Sequence, residues 1–367
     1  MHDVIVVGSG FAGAVSANLL ATKHNKKVLV LEEREHIGGN CYDYVDDQGI
    51  RIHKYGPHLF HTSNQEVWDY LSKFTQWQKY EHKVLAHIEN QNVPIPFNFN
   101  TIRLLFTSKE AQELIDTLLT YYSLNTKVPI LELKKHSNKK LQKLADFVYN
   151  KVFVGYTSKQ WGLKPEELDS AVTARVPIFI GEDNRYFNDT YQAVPKEGYT
   201  KLFENLLTHP NITIQLSTPF VLDPNDKKQI IYTGMIDALF DYRYGELPYR
   251  STIMQLETVS KEFFQEAATI NYPNDHDFTR ITEFRHIHPS KSKGTTILKE
   301  YPQTYEKEKN TPYYPIFTDE NQKKYQRYLA HAQEFPNLIL LGRLAEYKYY
   351  DMDDIVERVL QTLGALL

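Results

Sequence analysis

The pattern of hydrophobic and polar positions at the start of the chain predicts a strand, a glycine turn, a helix and a second strand. An apolar run at residues 4–7 leads into the turn GSGFAG at residues 8–13, and another apolar run at residues 28–31 ends on Glu32 and Glu33. Glycines at this spacing allow a tight turn, a close backbone approach to a pyrophosphate, and close packing of helix on strand. Free amides at the helix start would face the phosphates, and the acid would bind ribose hydroxyls. The pattern predicts a bound dinucleotide; the alternative is a βαβ unit with an empty crevice.

The middle of the chain changes from strand-like to helical spacing. Pro94 and Pro96 make residues 91–100 a poor central strand and predict an edge strand or a crossover. Residues 101–150 carry apolar side chains at intervals of three and four, which predicts a small helical insert. Residues 155–177 are mostly polar and contain glycines, which predicts a mobile connection.

The second half of the chain returns to strands. Residues 198–207 predict an amphipathic helix, and the apolar runs at residues 212–214 and 230–234 predict two further strands of the nucleotide-binding unit. Alternation across residues 249–314 predicts a second, largely antiparallel sheet.

The C-terminal part predicts one more strand and a helix. Residues 338–341 predict a buried strand, Gly342-Arg343 follows it, and the apolar spacing of residues 355–363 predicts a helix. Asp351 or Asp353 is a suitable N-cap for that helix.

Composition excludes several classes of partner. The 42 basic and 46 acidic residues nearly balance, so no global basic field indicates a nucleic acid or a lipid surface. Cys41 is the only cysteine, which excludes an intrachain disulfide and favours a reducing compartment. The chain enters its first strand at once and has no apolar stretch long enough to cross a bilayer, so we expect a cytoplasmic protein without membrane insertion. The 26 Tyr and 19 Phe suggest an aromatic cleft beside ordinary core packing.

A second glycine pair favours one dinucleotide over another. Gly38-Gly39, just beyond Glu32 and Glu33, resembles the second signature of FAD proteins of the glutathione-reductase and amine-oxidase type. The alternative is an ordinary glycine turn between strand and loop. We therefore expect FAD rather than NAD.

Three further segments resemble those of bacterial UDP-galactopyranose mutases. They are HKYGPHLFH at residues 53–61, GYTSKQWG at residues 155–162 and GRLAEYKYYDM at residues 342–352, and the shorter motifs FTR (278–280) and YYP (313–315) occur in the same order. The resemblance implies an α/β protein made of an FAD-binding Rossmann-type domain, a helical insert domain and an antiparallel β-sheet domain.

The resemblance and the pattern of hydrophobic positions together predict domains that are made of separate chain segments. Residues 1–80, 195–245 and 320–367 would form the FAD-binding domain. Residues 100–180 would form the helical substrate domain, with a mobile loop near residues 165–178. Residues 81–99, 181–194 and 246–319 would form the antiparallel sheet domain.

The resemblance also implies roles for single residues. The implied catalytic residues are Arg175, Arg280 and His61; arginine's planar fork suits the oxygen atoms of a diphosphate. The implied substrate-binding residues are Phe153, Tyr156, Thr157, Trp161, Arg175, Tyr186, Asn271, Arg280, Tyr314 and Tyr349. The implied cofactor-binding residues are Gly8, Gly10, Phe11, Ala12, Gly13, Glu32, Glu33, Gly39, Asn40, His58, Gly342, Arg343, Asp351 and Met352. No metal is implied.

Each of these assignments has a plainer alternative. A lone arginine most often forms a surface ion pair, and Tyr156 and Trp161 could simply pack in a core. His58 and His61 could ligate zinc, but no third ligand cluster supports a metal. The chain also departs from the family, which often has an asparagine where His82 stands and a lysine where Val154 stands.

The implied function is the interconversion of UDP-galactopyranose and UDP-galactofuranose by an FAD enzyme that is active when reduced. The N5 atom of reduced flavin would attack the anomeric carbon, with no net redox change. A homodimer is expected. The rival interpretations are an oxidoreductase of the amine-oxidase or carotene-desaturase type, and a non-catalytic binding protein like the GDP-dissociation inhibitors.

Overall fold

The computed structural model describes residues 2–162 and 177–365. Within these ranges the strands are β1 (Val4–Val7), β2 (Val28–Leu31), β3 (Asp43–Val45), β4 (Arg51–His53), β5 (Phe60–Thr62), β6 (Trp77–Lys79), β7 (Val84–Ile88), β8 (Gln91–Ile95), β9 (Lys127–Pro129), β10 (Pro177–Phe179), β11 (Tyr191–Pro195), β12 (Ile212–Gln215), β13 (Gln229–Tyr232), β14 (Tyr249–Val259), β15 (Thr269–Asn271), β16 (Arg280–Glu283), β17 (Thr295–Thr304), β18 (Tyr314–Pro315) and β19 (Leu338–Leu340). The α-helices are α1 (Phe11–Lys23), α2 (Gln65–Leu71), α3 (Phe99–Leu105), α4 (Ser108–Tyr121), α5 (Ile130–Lys134), α6 (Lys139–Val148), α7 (Val154–Trp161), α8 (Tyr199–Leu207), α9 (Ile236–Leu239), α10 (Asp319–Ala332) and α11 (Met352–Ala365).

A five-stranded parallel sheet in the order β12-β2-β1-β13-β19 forms the nucleotide-binding layer. Helices α1, α8 and α11 cover one face, where Phe11, Phe203 and Val359 share a buried cluster. Ile5 and Tyr232 lie in a smaller buried cluster that also includes Ala345. The strands predicted from the apolar runs are confirmed, and their parallel order brings their carboxyl ends to one edge of the sheet.

The strand predicted at residues 338–341 is confirmed at residues 338–340, but it is less buried than expected. Leu338, Ile339 and Leu340 are half-buried, and the following Leu341 is fully buried. The cause is the position of β19, which is an edge strand and, among the strands that the structure describes, pairs with β13 alone.

A seven-stranded sheet in the order β18-β14-β17-β16-β15-β7-β8 forms the second large layer. Its longest strand pair is β14–β17, which is antiparallel over ten residue pairs. The predicted antiparallel character is confirmed except at one place, since β15 and β7 are parallel. The edge position predicted for residues 91–100 is confirmed, because β8 is the last strand of the sheet.

Helices α3 to α6 form the predicted helical insert and share a buried core with the β7–β8 hairpin. The sequence sets their starts: Thr107 and Glu110 form a reciprocal capping box at α4, and Asn98 and Asn138 cap α3 and α6. The π-helical turn Tyr149–Phe153 then leads into α7.

The mobile connection expected at residues 155–177 is wrong for its first part. Residues 155–161 belong to α7, and Gly162 ends the helix in the left-handed conformation (φ 68°). The glycine marked a helix end rather than a flexible segment. The rest of that segment, including most of the loop expected near residues 165–178, lies outside the described residues.

Strands β5 and β6 pair with β11 in a three-stranded antiparallel sheet. This sheet joins segments that the sequence analysis assigned to two different domains, so the domain boundaries stay a prediction. Across the ranges that the structure describes, no helix is long and apolar enough to cross a membrane.

Candidate active site

A cavity of about 610 Å³ opens at the carboxyl ends of β1, β2 and β13, where a dinucleotide is expected in this type of sheet. Most of the predicted cofactor-binding residues line it. They are Gly8, Gly10, Phe11, Ala12, Glu32, Glu33, Gly39, Asn40, His58, Gly342, Arg343 and Met352.

Glu32 is held rigidly at the end of β2. Its carboxylate accepts hydrogen bonds from the backbone N–H of Ser9 (2.9 Å), the Ser9 hydroxyl (2.6 Å) and the backbone N–H of Arg34 (3.1 Å). The side chain is only 5% exposed, yet it lines the cavity. Ser9 therefore orients the acid, a function that the sequence analysis missed although Ser9 lies inside the glycine turn.

The glycines of the turn are required for different structural reasons. A Cβ atom on Gly13 would lie 1.9 Å from the carbonyl oxygen of Gly8, so α1 could not pack so closely on the turn. Gly10 faces Gly39: a Cβ on Gly39 would lie 3.0 Å from the Gly10 Cα atom. The pair Gly10–Gly39 thus forms a narrow backbone cradle that larger side chains would fill, whereas Gly13 serves packing and does not line the cavity.

Two arginines at the cavity have buried nitrogen atoms without a partner among the described residues, Nη1 of Arg34 and Nε of Arg343. Arg34 otherwise donates to Asn40 Oδ1 (3.0 Å), and Arg343 donates to the carbonyl oxygen of Tyr350 (2.6 Å). Unpaired buried donors are costly, so a ligand with oxygen acceptors fits this cavity. The sequence analysis did not select Arg34, although its position two residues after Glu32 was a usable signal.

The sequence analysis also missed two cavity segments far from the turn, residues 218–222 and residues 305–313. The backbone N–H of Thr218 donates to the carbonyl oxygen of Glu32 (2.9 Å), which places the first segment beside the ribose-binding acid. A signal existed for it, because it follows β12 at the carboxyl edge of the parallel sheet.

His58 is held at the cavity by two backbone contacts. Its backbone N–H donates to Nδ1 of His53 (3.0 Å), and its own Nδ1 lies 2.8 Å from the carbonyl oxygen of Gly56. Burial lowers the pKa of His58 to about 4, with Arg343 and Arg280 adding to the effect. His58 is therefore neutral near pH 7 and presents an uncharged ring to the cavity.

Most of the predicted substrate residues that the structure describes belong to a second group of side chains around Arg280, which we call the Arg280 group. The Nε atom of Arg280 donates to Oε1 of Glu300 (2.6 Å), and Glu300 is 2% exposed. Burial opposes the charge, but Glu300 and Tyr156 hold the pKa of the Arg280 guanidinium well above its ordinary value. The result is a permanent cation with one side fixed on Glu300, a residue that the sequence analysis missed.

Helix α7 supplies Tyr156, Thr157 and Trp161. Burial raises the pKa of the Tyr156 hydroxyl; Arg280 opposes this, and Tyr186, Glu300 and Tyr314 add to it. The Trp161 ring lies 6.1 Å from the ring of Tyr314.

Tyr314 and Tyr349 form a parallel pair with ring centres 6.1 Å apart. The guanidinium carbon of Arg343 lies 5.3 Å from the Tyr314 ring and 5.1 Å from the Tyr349 ring. Because Arg343 also lines the cavity, it joins the cofactor side to the substrate side. Asn271 lies opposite Arg280 across the β15–β16 pair and has a buried Oδ1 atom without a partner among the described residues.

Some predicted residues are not brought into either part of the site. Phe153 is 1% exposed and packs in the helical core, so its place in the substrate site stays a prediction. Asp351 does not line the cavity; its backbone N–H donates to Asp354 Oδ2 at the start of α11. Arg175 lies outside the described residues.

His61 lies beside the cavity rather than in its lining. Its Nδ1 atom is 2.9 Å from Asp189 Oδ2, and its ring stacks on Phe187 at 3.7 Å. His82 lies nearby: burial lowers the pKa of His82 to about 3, and Arg280 and His61 add to this. Residues 2–162 and 177–365 contain no group of three His, Cys, Asp or Glu side chains arranged to hold a metal.

Comparison with known proteins identifies the family. Residues 151–349, more than half of the chain, match the family model of UDP-galactopyranose mutase. A UDP-galactopyranose mutase from Mycoplasma genitalium is 36% identical over 373 residues, covering 96% of this chain and 92% of that protein. The chain belongs to the UDP-galactopyranose mutase family. It is therefore an enzyme of the isomerase class, as the resemblance implied.

Three further comparisons agree with this family and with the fold. A dTDP-fucopyranose mutase from Escherichia coli is 33% identical over 375 residues, 98% of this chain and 97% of that protein. A crystal structure of reduced UDP-galactopyranose mutase superposes with a TM-score of 0.75 at 15% identity, covering 100% of this chain and 94% of that one. Residues 6–74 also match an NAD(P)-binding Rossmann-like domain. The predicted family and fold class are confirmed.

Proposed function

We propose that the protein interconverts UDP-galactopyranose and UDP-galactofuranose with the help of FAD. The observation that carries the proposal is the position of Arg343, which lines the cofactor cavity and also lies over the rings of Tyr314 and Tyr349. A nucleotide sugar held by Arg280 and Tyr314 would therefore lie next to whatever the cavity holds.

FAD fits the cavity for three reasons. The Gly10–Gly39 cradle leaves room for a pyrophosphate, Glu32 offers a fixed carboxylate for ribose hydroxyls, and the unpaired donors of Arg34 and Arg343 suit oxygen acceptors. Bound in its reduced form, FAD supplies N5 as the nucleophile for the anomeric carbon, which requires no net redox change.

The residues of the chain bind the substrate and stabilise the leaving group. Nε of Arg280 is held by Glu300, and we assign the other N–H groups of Arg280 to the diphosphate, whose negative charge grows as UDP leaves. Arg175 is proposed as a second cation for the same group. The hydroxyls of Tyr186, Tyr314 and Tyr349 donate to phosphate oxygens.

The uridine and the sugar are assigned to different sets of residues. Trp161 and Tyr156 on α7 present aromatic faces for the uracil ring, while Asn271 and His61 are assigned to the sugar side. His61 has its orientation fixed by Asp189 and by stacking on Phe187, which suits a catalytic role in proton exchange.

A dTDP-fucopyranose mutase activity is the second candidate, since a relative of that name aligns with 98% of the chain. Fucose lacks the 6-hydroxyl of galactose, and thymine carries a methyl group that uracil lacks. A cleft built to hydrogen-bond the 6-hydroxyl rejects the 6-deoxy sugar by about 10⁴-fold, whereas a merely apolar contact discriminates far less. The two candidates therefore differ clearly in a direct comparison.

The test offers UDP-galactopyranose and dTDP-fucopyranose separately to the FAD-loaded, dithionite-reduced protein and separates products by chromatography. Conversion of the UDP sugar at the higher kcat/KM supports the proposal. A preference for the dTDP sugar moves the assignment to the second candidate. Absence of ring-contracted product from either sugar contradicts both.

A further inference from the structure

Arg250 on β14 is a buried cation that no motif singles out. It is 7% exposed, and in the part of the chain that the structure describes no carboxylate lies within 4 Å of its guanidinium. Burial lowers the pKa of this guanidinium. A buried charge without an ionic partner needs compensation from other polar groups.

That compensation comes from the end of α7. Arg250 donates from Nε to the carbonyl oxygen of Gln160 (2.9 Å) and from Nη2 to the carbonyl oxygen of Lys159 (3.1 Å). The last carbonyl groups of a helix have no partner inside the helix, and they form the negative end of its dipole. The guanidinium therefore caps α7 and is itself stabilised by that helix end.

The backbone around α7 is shaped for this contact. Gly162 follows the helix with φ 68°, and a Cβ atom there would lie 2.9 Å from Nη1 of Arg250. The same Nη1 atom donates to the hydroxyl of Thr304 (3.3 Å). All three guanidinium nitrogens are thus engaged, which fixes the orientation of the fork.

The backbone of Arg250 also pairs with strand β18, which carries Tyr314. Arg250 is the register partner of Tyr314 in the β14–β18 pair, and its carbonyl oxygen accepts from the backbone N–H of Tyr313 (2.9 Å). Arg250 therefore connects the helix that carries Trp161 to the strand that carries Tyr314. The rings of Trp161 and Tyr314 lie 6.1 Å apart.

We propose that Arg250 is a positioning residue for nucleotide binding: by capping α7 it fixes Trp161 and Tyr156 relative to Tyr314 and Arg280, so that a uridine diphosphate meets a preformed site. The inference rests on the proposed function, because it takes the Arg280 group as the nucleotide-binding site. Arg250 need not touch the substrate. Its effect is on the entropy and geometry of binding, since a helix end that must be ordered on binding lowers affinity.

The experiment measures UDP binding to the FAD-loaded protein by calorimetry in the parent, Arg250→Lys and Arg250→Ala. Arg103→Ala is the matched control, because Arg103 is an exposed arginine paired with Glu182 (2.8 Å) in the helical insert. We expect the Kd for UDP to rise about tenfold in Arg250→Ala, about 1.4 kcal/mol, and less in Arg250→Lys, which keeps the charge but not the fork. Arg103→Ala should bind UDP like the parent.

Kinetics and rescue separate positioning from mere support of the fold. In reduced enzyme, KM for the nucleotide sugar should rise more than kcat falls in Arg250→Lys, and FAD content should stay at the parent level. Added guanidinium ion at low millimolar concentration should restore UDP affinity to Arg250→Ala, while the same concentration of sodium ion should not. If Arg250→Ala does not fold, the KM shift in Arg250→Lys decides the question.

The outcomes distinguish this inference from the proposed function. Parent protein that binds UDP and turns over, with unchanged UDP affinity and KM in folded Arg250 variants, overturns the inference alone. Parent protein that binds UDP without any turnover contradicts the proposed function, and a weaker Kd in the variants still supports the positioning role. Parent protein that does not bind UDP overturns both.

Discussion

Arg280 donates a 2.6 Å hydrogen bond to Glu300, and the carboxylate that receives it is almost completely enclosed. A buried charge pair of this kind is retained at a cost in desolvation, so it is weak support for stability alone. It makes good sense as a device that aims a guanidinium. Against the effect of burial, Glu300, Tyr156 and Tyr314 raise the pKa of the same guanidinium, so Arg280 stays charged.

The first prediction follows from that pair. Glu300→Gln keeps a hydrogen-bond acceptor but removes the counter-charge, so kcat/KM of the reduced enzyme should fall at least about tenfold, or 1.4 kcal/mol. Arg280→Ala should fall further, because the diphosphate loses its cation. FAD content should be unchanged in both, as measured by absorbance after denaturation. Near-parental kcat/KM in folded Arg280→Ala would show that Arg280 is a structural cation only.

The second prediction distinguishes the role of Gly13 in packing from the role of Gly10 in cofactor binding. Gly13→Ala brings a Cβ atom to 1.9 Å from the Gly8 carbonyl oxygen, so it should destabilise the fold by about 1–3 kcal/mol. Gly10→Val has ordinary space at its Cβ (3.7 Å from Gly39) but fills the cradle with its methyl groups, so it should fold and lose FAD. Thermal unfolding and FAD titration give the two readouts. A Gly10→Val protein that purifies with full FAD contradicts the cradle.

The fold was predictable where the pattern reports on local geometry and burial. The strands flanking the glycine turn are short apolar runs, as expected for strands buried in a parallel sheet. The sequence misled at residues 155–161, where polar residues and glycine suggest a loop. There the helix is stabilised from outside, by Arg250 at its end and by Lys159 donating to the carbonyl oxygen of Tyr272 (3.0 Å).

A third prediction concerns the ribose-binding acid. Glu32→Ala should weaken FAD binding by about 1–3 kcal/mol, since it loses ribose hydrogen bonds and leaves Ser9 without its acceptor. Glu35→Ala is the matched control, because the Glu35 side chain is largely exposed and lies three residues away. Fluorescence titration of apoprotein with FAD measures both. Equal Kd values in the two variants would remove Glu32 from the cofactor site.

The site was less predictable than the fold, because partners distant in sequence define it. Glu300 and Arg250 carry no motif, and only the pairing of β14, β16 and β17 reveals that they orient Arg280 and α7. A charged residue inside a predicted strand was the available signal for Glu300. Phe153 was placed in the substrate site by resemblance alone; it packs in the helical core, and its contact with substrate stays a prediction.

The fourth prediction is a loss of stability in mild acid. Burial lowers the pKa of His82 to about 3 and of His288 to about 4, and it also lowers the pKa of His36, His53 and His58. Between these values and the ordinary 6.5 the unfolded chain binds protons that the folded chain excludes. The stability from these groups is therefore complete above pH 6.5 and falls as the pH is lowered towards 4.

One histidine acts in the opposite direction. Glu283 raises the pKa of His286 against the effect of burial, so its contribution is present below pH 6.5 and is lost as the pH rises through its raised value. Among the histidines, five lowered pKa values stand against one raised value, so we expect the histidines together to lose stability in mild acid; the raised carboxyl pKa values of Asp237 and Asp353 act in the opposite direction. Urea unfolding at pH 5 and pH 7.5 should give a lower midpoint at pH 5, and His288→Asn should reduce that difference. A midpoint independent of pH over this interval contradicts the prediction.

The last prediction tests the chemistry. If reduced FAD provides the nucleophile, activity must depend on the redox state of the flavin although the reaction transfers no net electrons. The aerobic, oxidised protein should be nearly inactive, because N5 of oxidised flavin is an electron-poor imine nitrogen and not a nucleophile. Anaerobic dithionite should switch activity on, and one reduction should support many turnovers. An oxidoreductase would instead consume reductant in proportion to product.

The measurement counts product formed per flavin after excess dithionite has been removed under anaerobic conditions. Product far above one equivalent, with the flavin spectrum still that of the reduced form, is the expected result. Readmission of air should stop the reaction as the spectrum of oxidised flavin returns. Such reversal would show that the activity after dithionite treatment comes from flavin reduction and not from damage to the protein by dithionite. Arg103→Ala should behave like the parent throughout, since it lies outside the site. Full activity of the oxidised protein would rule out a nucleophilic role for reduced flavin, and one product per flavin would favour the oxidoreductase.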